Sequence, residues 1–459
     1  MHITDLRGFL KVLETAGNLI HFKEELSTEY EISAAIKYIA RNLGKAVLFD
    51  RVKGYDVSVV GNLLGSRQNM AIAFRVGKEE LVQTYLKRAG NLIKPRLLNS
   101  APVQGVVIEA DVDIGRVIPV LVHHEKDAGP YMTSAVTIAK DPHSGIRGMG
   151  LHRIQIKDKD RIGIFLATPP LSDFFAKAEQ LNKPLEIAIA VGVDPLTFCA
   201  APLFAPTGVD KFEIAGGFAE QPVELVKCRS VDIEVPANAE FILEGYLEPN
   251  FREKEGPFGE SSGVYLAYDN PVGRITAITH RSRPIYHALV PFDEEDKILA
   301  SIMILPYLLK SIREAIPEVR IEDAYMVGMD GFCIVQIDKR TETDPRLVID
   351  YLMQSPLIKM AAVVDRDINI SELYDVSWAI TTRVYPDRDV VIRSGLPGCV
   401  IDPSASELGK GEFTHLFGRV AKVGFDATKP LKNAARFEKV GVPTEVKEKI
   451  SKLLEGIWR

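Results

Sequence analysis

HRIQIKDKDRIGIFLA, residues 152–167, sets two apolar-alternating runs on either side of the polar turn Lys157-Asp158-Lys159-Asp160. Alternation of period two broken by a polar turn reads as an antiparallel hairpin. The same signature extends outward in both directions. VQGVVIEA (103–110), SAVTIAK (134–140), LEIAIAVG (185–192), VDIEVP (231–236), EFILEGYLE (240–248) and RITAITH (274–280) are short β-type runs, with turn signals such as DPHSG (141–145) between them. One helix candidate interrupts, LSDFFAKAEQ (171–180). Many short strands with frequent turns predict a β-barrel domain over residues 106–305.

The flanks have another rhythm. TDLRGFLKVLETA (4–16) repeats apolar groups at Leu6, Phe9, Leu10 and Leu13, with Gly17 at a C-cap position. Helix candidates at 31–42 and 78–89 alternate with strand candidates at 46–50 and 57–65, so residues 1–105 read as an α/β domain. Alternation returns over 306–430, with strands AYMVGM and FCIVQID and helix PRLVIDYLMQS, giving a C-terminal α/β domain. The run Asp293-Glu294-Glu295-Asp296 reads as the acidic start of its first helix. The tail, 431–459, ends in a helix that aligns Val446, Ile450, Leu453, Leu454 and Ile457, a stripe suited to its own chain or to a second subunit.

At 459 residues the chain exceeds one core, and a net charge of −6 without any basic run excludes a nucleic-acid surface. No apolar stretch is long enough to span a membrane and the N-terminus has no secretory pattern, so a cytoplasmic location is expected. The four cysteines are scattered and form no CxxC pair, which predicts buried thiols and no thiolate metal site. No GxGxxG, P-loop, HExxH or GxSxG pattern occurs. His123 and His124 are adjacent, and neighbours on a strand face opposite ways, so a loop role is expected in place of a shared ion.

Chemistry concentrates in two segments. In Glu255-Gly-Pro-Phe-Gly-Glu260 two carboxylates lie five residues apart on a backbone shaped by Pro257 and two glycines. They read either as an exposed acidic turn or as a carboxylate pair, one member of which keeps its proton near neutrality. In RGMGLHRIQIKDKD (147–160), Arg153 should face the same way as Gln155 and Lys157. Such an arginine suits bidentate binding of a carboxylate, or a rim ion pair.

These segments, with GLHRIQ (150–155), DAGPYMTSAV (127–136) and GFDATKP (424–430), resemble the UbiD family of prenylated-FMN-dependent decarboxylases, nearly from end to end. The resemblance implies a central split β-barrel related to flavin reductases, α/β domains on either side, and a cofactor between the barrel and the C-terminal domain. It implies homodimers or homohexamers docked through the C-terminal helix. It further implies reversible decarboxylation of an aromatic or α,β-unsaturated carboxylic acid, with prenylated FMN (or FMN) supplied by a flavin prenyltransferase. Arg153 would orient the carboxylate beside Glu255, and Glu260 would carry the proton. Leu151, His152, Arg153, Phe165, Leu166, Ala167 and Lys211 would contact the cofactor.

The family's Mn2+ and K+ ligands are altered. The Asn position is Gly148, the Glu position is Lys211, and the His position is Pro169 or a close neighbour. Three readings follow: the Lys211 ammonium replaces the metal; Glu213, two residues on and sharing its facing on a strand, restores it; or the chain is a catalytically divergent flavin-binding paralogue without turnover. A hydrolase using the paired carboxylates is a further candidate, weakened by the lack of aromatic sugar platforms around them, since the whole chain has only two tryptophans, Trp378 and Trp458.

Overall fold

Local signals explain the first helix, Leu6–Thr15. The Asp5 carboxylate caps it by accepting from the Gly8 amide at 2.7 Å, Leu6, Phe9, Leu10 and Leu13 are buried, and Gly17 follows in the left-handed region. The structure is a computed structural model describing residues 3–203, 205, 208–328, 331–405 and 417–455. The chain divides into two units, 1–308 with 326–331 and 397–420, and 309–325 with 332–396 and 421–459.

In the first unit six strands close into an antiparallel barrel. In order around the ring they are Phe241–Gly259, Leu185–Val191, Tyr131–Lys140, Arg147–Ile156, Arg161–Ile164 and Tyr265–His280, which pairs back to Phe241–Gly259. All six contribute to one apolar cluster that includes Met132, Ile154, Ile162, Ile187, Leu243 and Ile278. Alternate residues such as Val136, Ile138, Met149, Ala188 and Ile242 pack into a second cluster with the N-terminal helices. Burial on both faces explains why these strands are apolar nearly throughout. A four-stranded sheet joins Leu19–Phe22, Ala46–Phe49 and Ser58–Gly61 to Ile285–Ala288.

Two strands outrun the barrel. Phe241–Leu247 is held on both sides, whereas Arg252–Gly259 pairs only with Tyr265–Pro271 among the described residues, forming a two-stranded ribbon. That ribbon carries the EGPFGE segment. Gly256 within it has φ +106°, and a Cβ there would lie 2.6 Å from the Leu266 carbonyl oxygen, so only glycine fits the ribbon.

One expectation is overturned. VDKFEIAGG is not a strand: Lys211–Ala219 is a helix, capped by Asp210, whose carboxylate accepts from the Phe212 amide at 2.9 Å. The apolar run and its two glycines mislead because the helix is buried nearly all round, which erases the amphipathic signal. A further helix, Pro195–Ala200, also interrupts the β-rich region.

The second unit holds a sheet ordered Arg320–Met326, Phe332–Asp338, Met360–Asp365, Phe417–Ala427 and Val390–Cys399. Its last helix, Thr444–Glu455, exposes Val446, Ile450, Leu453 and Leu454; Ile457 lies outside the described residues. The acidic run does open a helix, Glu294–Ala315, with Glu294, Glu295 and Asp296 in its first turn. Among the described residues no helix is long and apolar enough to cross a membrane.

Candidate functional site

Arg153, Glu255 and Glu260 meet. Alternation along Arg147–Ile156 turns Ile154 into the barrel cluster and Arg153 to the other face, where the ribbon lies. Gln155 and Lys157 follow the same face: Gln155 donates to the Ala128 carbonyl, and Lys157 donates to the Lys254 carbonyl and pairs with Glu253. The Arg153 guanidinium grips Glu255 with two N–H groups, Nε at 3.1 Å and Nη2 at 2.5 Å, and its Nη1 pairs with Glu260. All three residues are buried, Glu255 completely.

The two carboxylates are not equivalent. Glu255 also accepts from Asn270 Nδ2 at 2.8 Å, so three donors fix it. Glu260 sits at the end of the ribbon, where besides Arg153 it accepts from the Ser261 amide at 3.2 Å. Aromatic rings wall the cation: its guanidinium carbon lies 4.5 Å from the Phe165 centroid and 4.9 Å from that of Phe258. Tyr131 packs on Phe258 at 4.3 Å, and burial with the nearby Glu255 charge pushes its phenol well above the usual range. Tyr131 therefore stays protonated.

The backbone leading to Glu260 is clamped from outside the ribbon. Asp127 accepts from the Gly259 amide at 2.8 Å and from the His124 amide at 2.8 Å, and the Ala128 amide donates to the Pro257 carbonyl. The His124 ring packs against Gly259, where a Cβ would come within 2.5 Å of Nδ1, and Lys37 Nζ contacts its Nε2 at 2.7 Å. The two histidines occupy a loop and serve different neighbours. His123 is buried between Ser33 Oγ and the Tyr131 carbonyl, and burial lowers its pKa to about 4. Asn270, Asp127 and Lys37 are the residues that sequence reasoning missed, and His124 was read there only as a loop residue. Asp127 and His124 lay beside or within a quoted stretch, but nothing in one dimension brings Lys37 or Asn270 to the ribbon.

A second cluster sits on the opposite face of the same strand. Gly148, Gly150 and His152 share that face. His152 is buried and neutral: burial, then the Lys211 charge, pull its pKa down to about 3. Its Nε2 lies 3.5 Å from Thr168 Oγ1, and its Nδ1 has no partner among the described residues. Lys211 is 3 % exposed, and its ammonium donates to the Ala201 carbonyl at 2.9 Å. Burial lowers its pKa to about 7. Of the other proposed cofactor contacts, Leu166 and Ala167 are buried and Leu151 is half-buried.

The altered metal positions do not assemble a cation site. A Cβ on Gly148 would lie 2.5 Å from Pro170 Cγ and 2.8 Å from Phe174 Cε2, so the place of an Asn side chain is already filled. On a helix, two residues turn by about 200°, so Glu213 points away from Lys211 and does not share its facing, contrary to the strand reading. Among the described residues no three His, Cys, Asp or Glu side chains gather as metal ligands.

Three family models match in chain order: the N-terminal domain of 3-octaprenyl-4-hydroxybenzoate carboxy-lyase at residues 10–89, its Rift-related domain at 96–293 and its C-terminal domain at 297–427. Anhydromevalonate phosphate decarboxylase of Methanothermobacter thermautotrophicus is 32% identical, covering 95% of this chain and 99% of its own. Phenolic acid decarboxylase of Sedimentibacter hydroxybenzoicus is 35% identical over 93% of this chain and 92% of its own. The structure of HmfF from Pelotomaculum thermopropionicum in complex with FMN superposes with TM-score 0.89 at 37% identity, covering 98% and 99% of the two chains. An evolved dimeric form of HmfF in complex with prFMN superposes at 0.85 and 36% identity, covering 97% and 98%.

Proposed function

From the premise that this chain belongs to the UbiD family and is a carboxy-lyase, we propose that it decarboxylates an aromatic or α,β-unsaturated carboxylic acid through Arg153, Glu255 and Glu260, with a flavin held beside them. One observation carries the reading: a buried guanidinium is fixed by one fully committed carboxylate and touched by a second, more lightly held one.

The flavin fits the residues present. HmfF, its structural neighbour, binds FMN and, in an evolved form, prFMN. Here a buried ammonium and an unpartnered buried imidazole nitrogen stand ready for the polar end of such a group. Leu151, Leu166 and Ala167 offer apolar surface for its rings. When bound, prenylated FMN supplies an electron sink for the pair left behind as carbon dioxide departs. A flavin prenyltransferase would supply it. A divalent metal does not fit, and no step is assigned to one.

The protein's own part is orientation, charge and one proton. Arg153 keeps Nη groups for a substrate carboxylate, while Glu255, tied by Asn270, prevents the guanidinium from swinging. The aromatic walls of Phe165 and Phe258 exclude water and strengthen these contacts. The C–C bond to the carboxylate breaks, its electron pair stays with the substrate, and Glu260 delivers the proton to that carbon. Glu260 suits this role because it can leave Nη1 without dismantling the Arg153–Glu255 pair. The exposed stripe of Val446, Ile450, Leu453 and Leu454 supports self-association through the last helix.

Protein produced together with a flavin prenyltransferase tests the reading. It is given a panel of aromatic and α,β-unsaturated acids, with carbon dioxide release and labelled-bicarbonate exchange as readouts. Turnover abolished by Glu260→Gln is the expected result. A chain that binds flavin yet releases no carbon dioxide from any acid would be the divergent binding paralogue.

A further inference from the structure

We propose that Lys211 and His152 form a metal-free anion site that takes the phosphate of the flavin directly, so that this chain retains its cofactor without a divalent cation. The inference rests on the flavin reading above and adds the chemistry of one of its contacts.

Among the described residues Lys211 is a buried charge without a counter-charge. A buried ammonium ordinarily finds a carboxylate, because desolvation is costly unless a counter-charge offsets it. Lys211 finds none: among the described residues its one hydrogen-bond partner is the neutral Ala201 carbonyl. The adjacent Asp210 is unavailable. Arg147 holds its carboxylate through Nη2 at 2.6 Å and Nε at 3.1 Å, and the other oxygen caps the Phe212 amide. Arg147 is further held by Glu234 at 2.8 Å. The neighbouring charges are thus paired among themselves, leaving Lys211 with N–H groups to spare.

Three features say that an anion is the missing partner. Lys211 occupies the first turn of a nine-residue helix, the end at which the backbone dipole favours negative charge. His152, 5 % exposed and within reach of the Lys211 charge, lies against the Gly150 backbone, and its Nδ1 meets no partner at good hydrogen-bond geometry among the described residues. A neutral ring with Nδ1–H donates to an anion. The positions that would support a cation are closed, since Pro170 and Phe174 fill the space beside Gly148. A positive side chain stands where a metal cluster would otherwise be needed, and adding a divalent cation beside it would be repulsive.

FMN and riboflavin differ only in the phosphate, which makes them the probes. The flavin-free full-length chain is titrated with each by fluorescence quenching, after exhaustive chelation and again with added Mn2+. The wild type should bind FMN more tightly than riboflavin, and equally well under both conditions. Lys211→Met should lower FMN affinity on the order of tenfold to a hundredfold and leave riboflavin unchanged, and Lys211→Arg should restore most of the difference. Mn2+-dependent FMN binding, or a Lys211→Met variant that weakens FMN and riboflavin by the same factor or binds both as well as the wild type, overturns the phosphate assignment alone. A wild type that binds neither flavin brings down the flavin reading and this inference together.

Discussion

Arg153 and Lys211 are both buried cations of one unit, and their surroundings are opposite. Arg153 is charge-compensated, two carboxylates and two aromatic rings enclosing it. Among the described residues Lys211 has a single carbonyl. A buried charge that the fold has paired holds the structure together, whereas one left without a counter-charge is a cost that a ligand can remove. The contrast separates a catalytic cage that exists before anything binds from a site that is finished by binding.

The largest effect expected on that contrast is at the cage's loose member. Glu260→Gln should cut turnover about a thousandfold while leaving flavin affinity and the thermal midpoint near those of the wild type; an equal loss of flavin binding would break the distinction. Next, Arg153→Met strands Glu255 in a buried place and should destabilise the fold by about 3 kcal/mol in urea unfolding. Arg153→Met combined with Glu255→Met should recover much of this, and a double variant worse than the sum of the singles would refute the pairing.

Lys211→Met should have the reverse sign, stabilising the ligand-free protein at pH 7 by about 1 to 3 kcal/mol. The pH dependence sharpens this. Lys211 binds its proton below about 7 when folded and below 10.5 in its ordinary state. Between those values the unfolded chain carries the extra proton, so stability rises with pH across the window and falls on descending to about 7. Lys211→Met should flatten that slope; an unchanged slope would show the lysine is not buried as described. The smallest effect concerns the clamp. Gly259→Ala drives a methyl into the His124 ring and should lower kcat about tenfold with little change in KM, since displacing Glu260 disturbs proton delivery more than binding. A purely thermal loss with normal kcat would make the clamp structural only.

Legibility followed the range of the interactions. Strand alternation made the barrel readable, because period two survives wherever neighbouring strands bury the same face, and Arg153 could be assigned its facing from Gln155 and Lys157. The segment of Glu255 and Glu260 stood out by its unusual backbone, a Pro and two glycines between like charges, but an exposed turn and a buried pair both stayed open until the family resemblance was added. The helix Lys211–Ala219 was misread because, buried nearly all round, it has no polar face for a period of 3.6 to mark. Its consequence, that Glu213 turns away from Lys211, was equally invisible.

By itself the sequence determined the barrel and the flanking α/β pattern, because each depends on local periodicity, and it singled out the two segments that carry Arg153, Glu255 and Glu260, which the family resemblance joined into one trio. Only the tertiary structure decided that Arg153 bridges two unequal carboxylates, that Asp127, His124 and Lys37 brace Glu260, and that Lys211 lacks a carboxylate among the described residues. Those outcomes depend on how charges from distant parts of the chain pair in a dry interior, and pairing is a property of space that residue order does not carry.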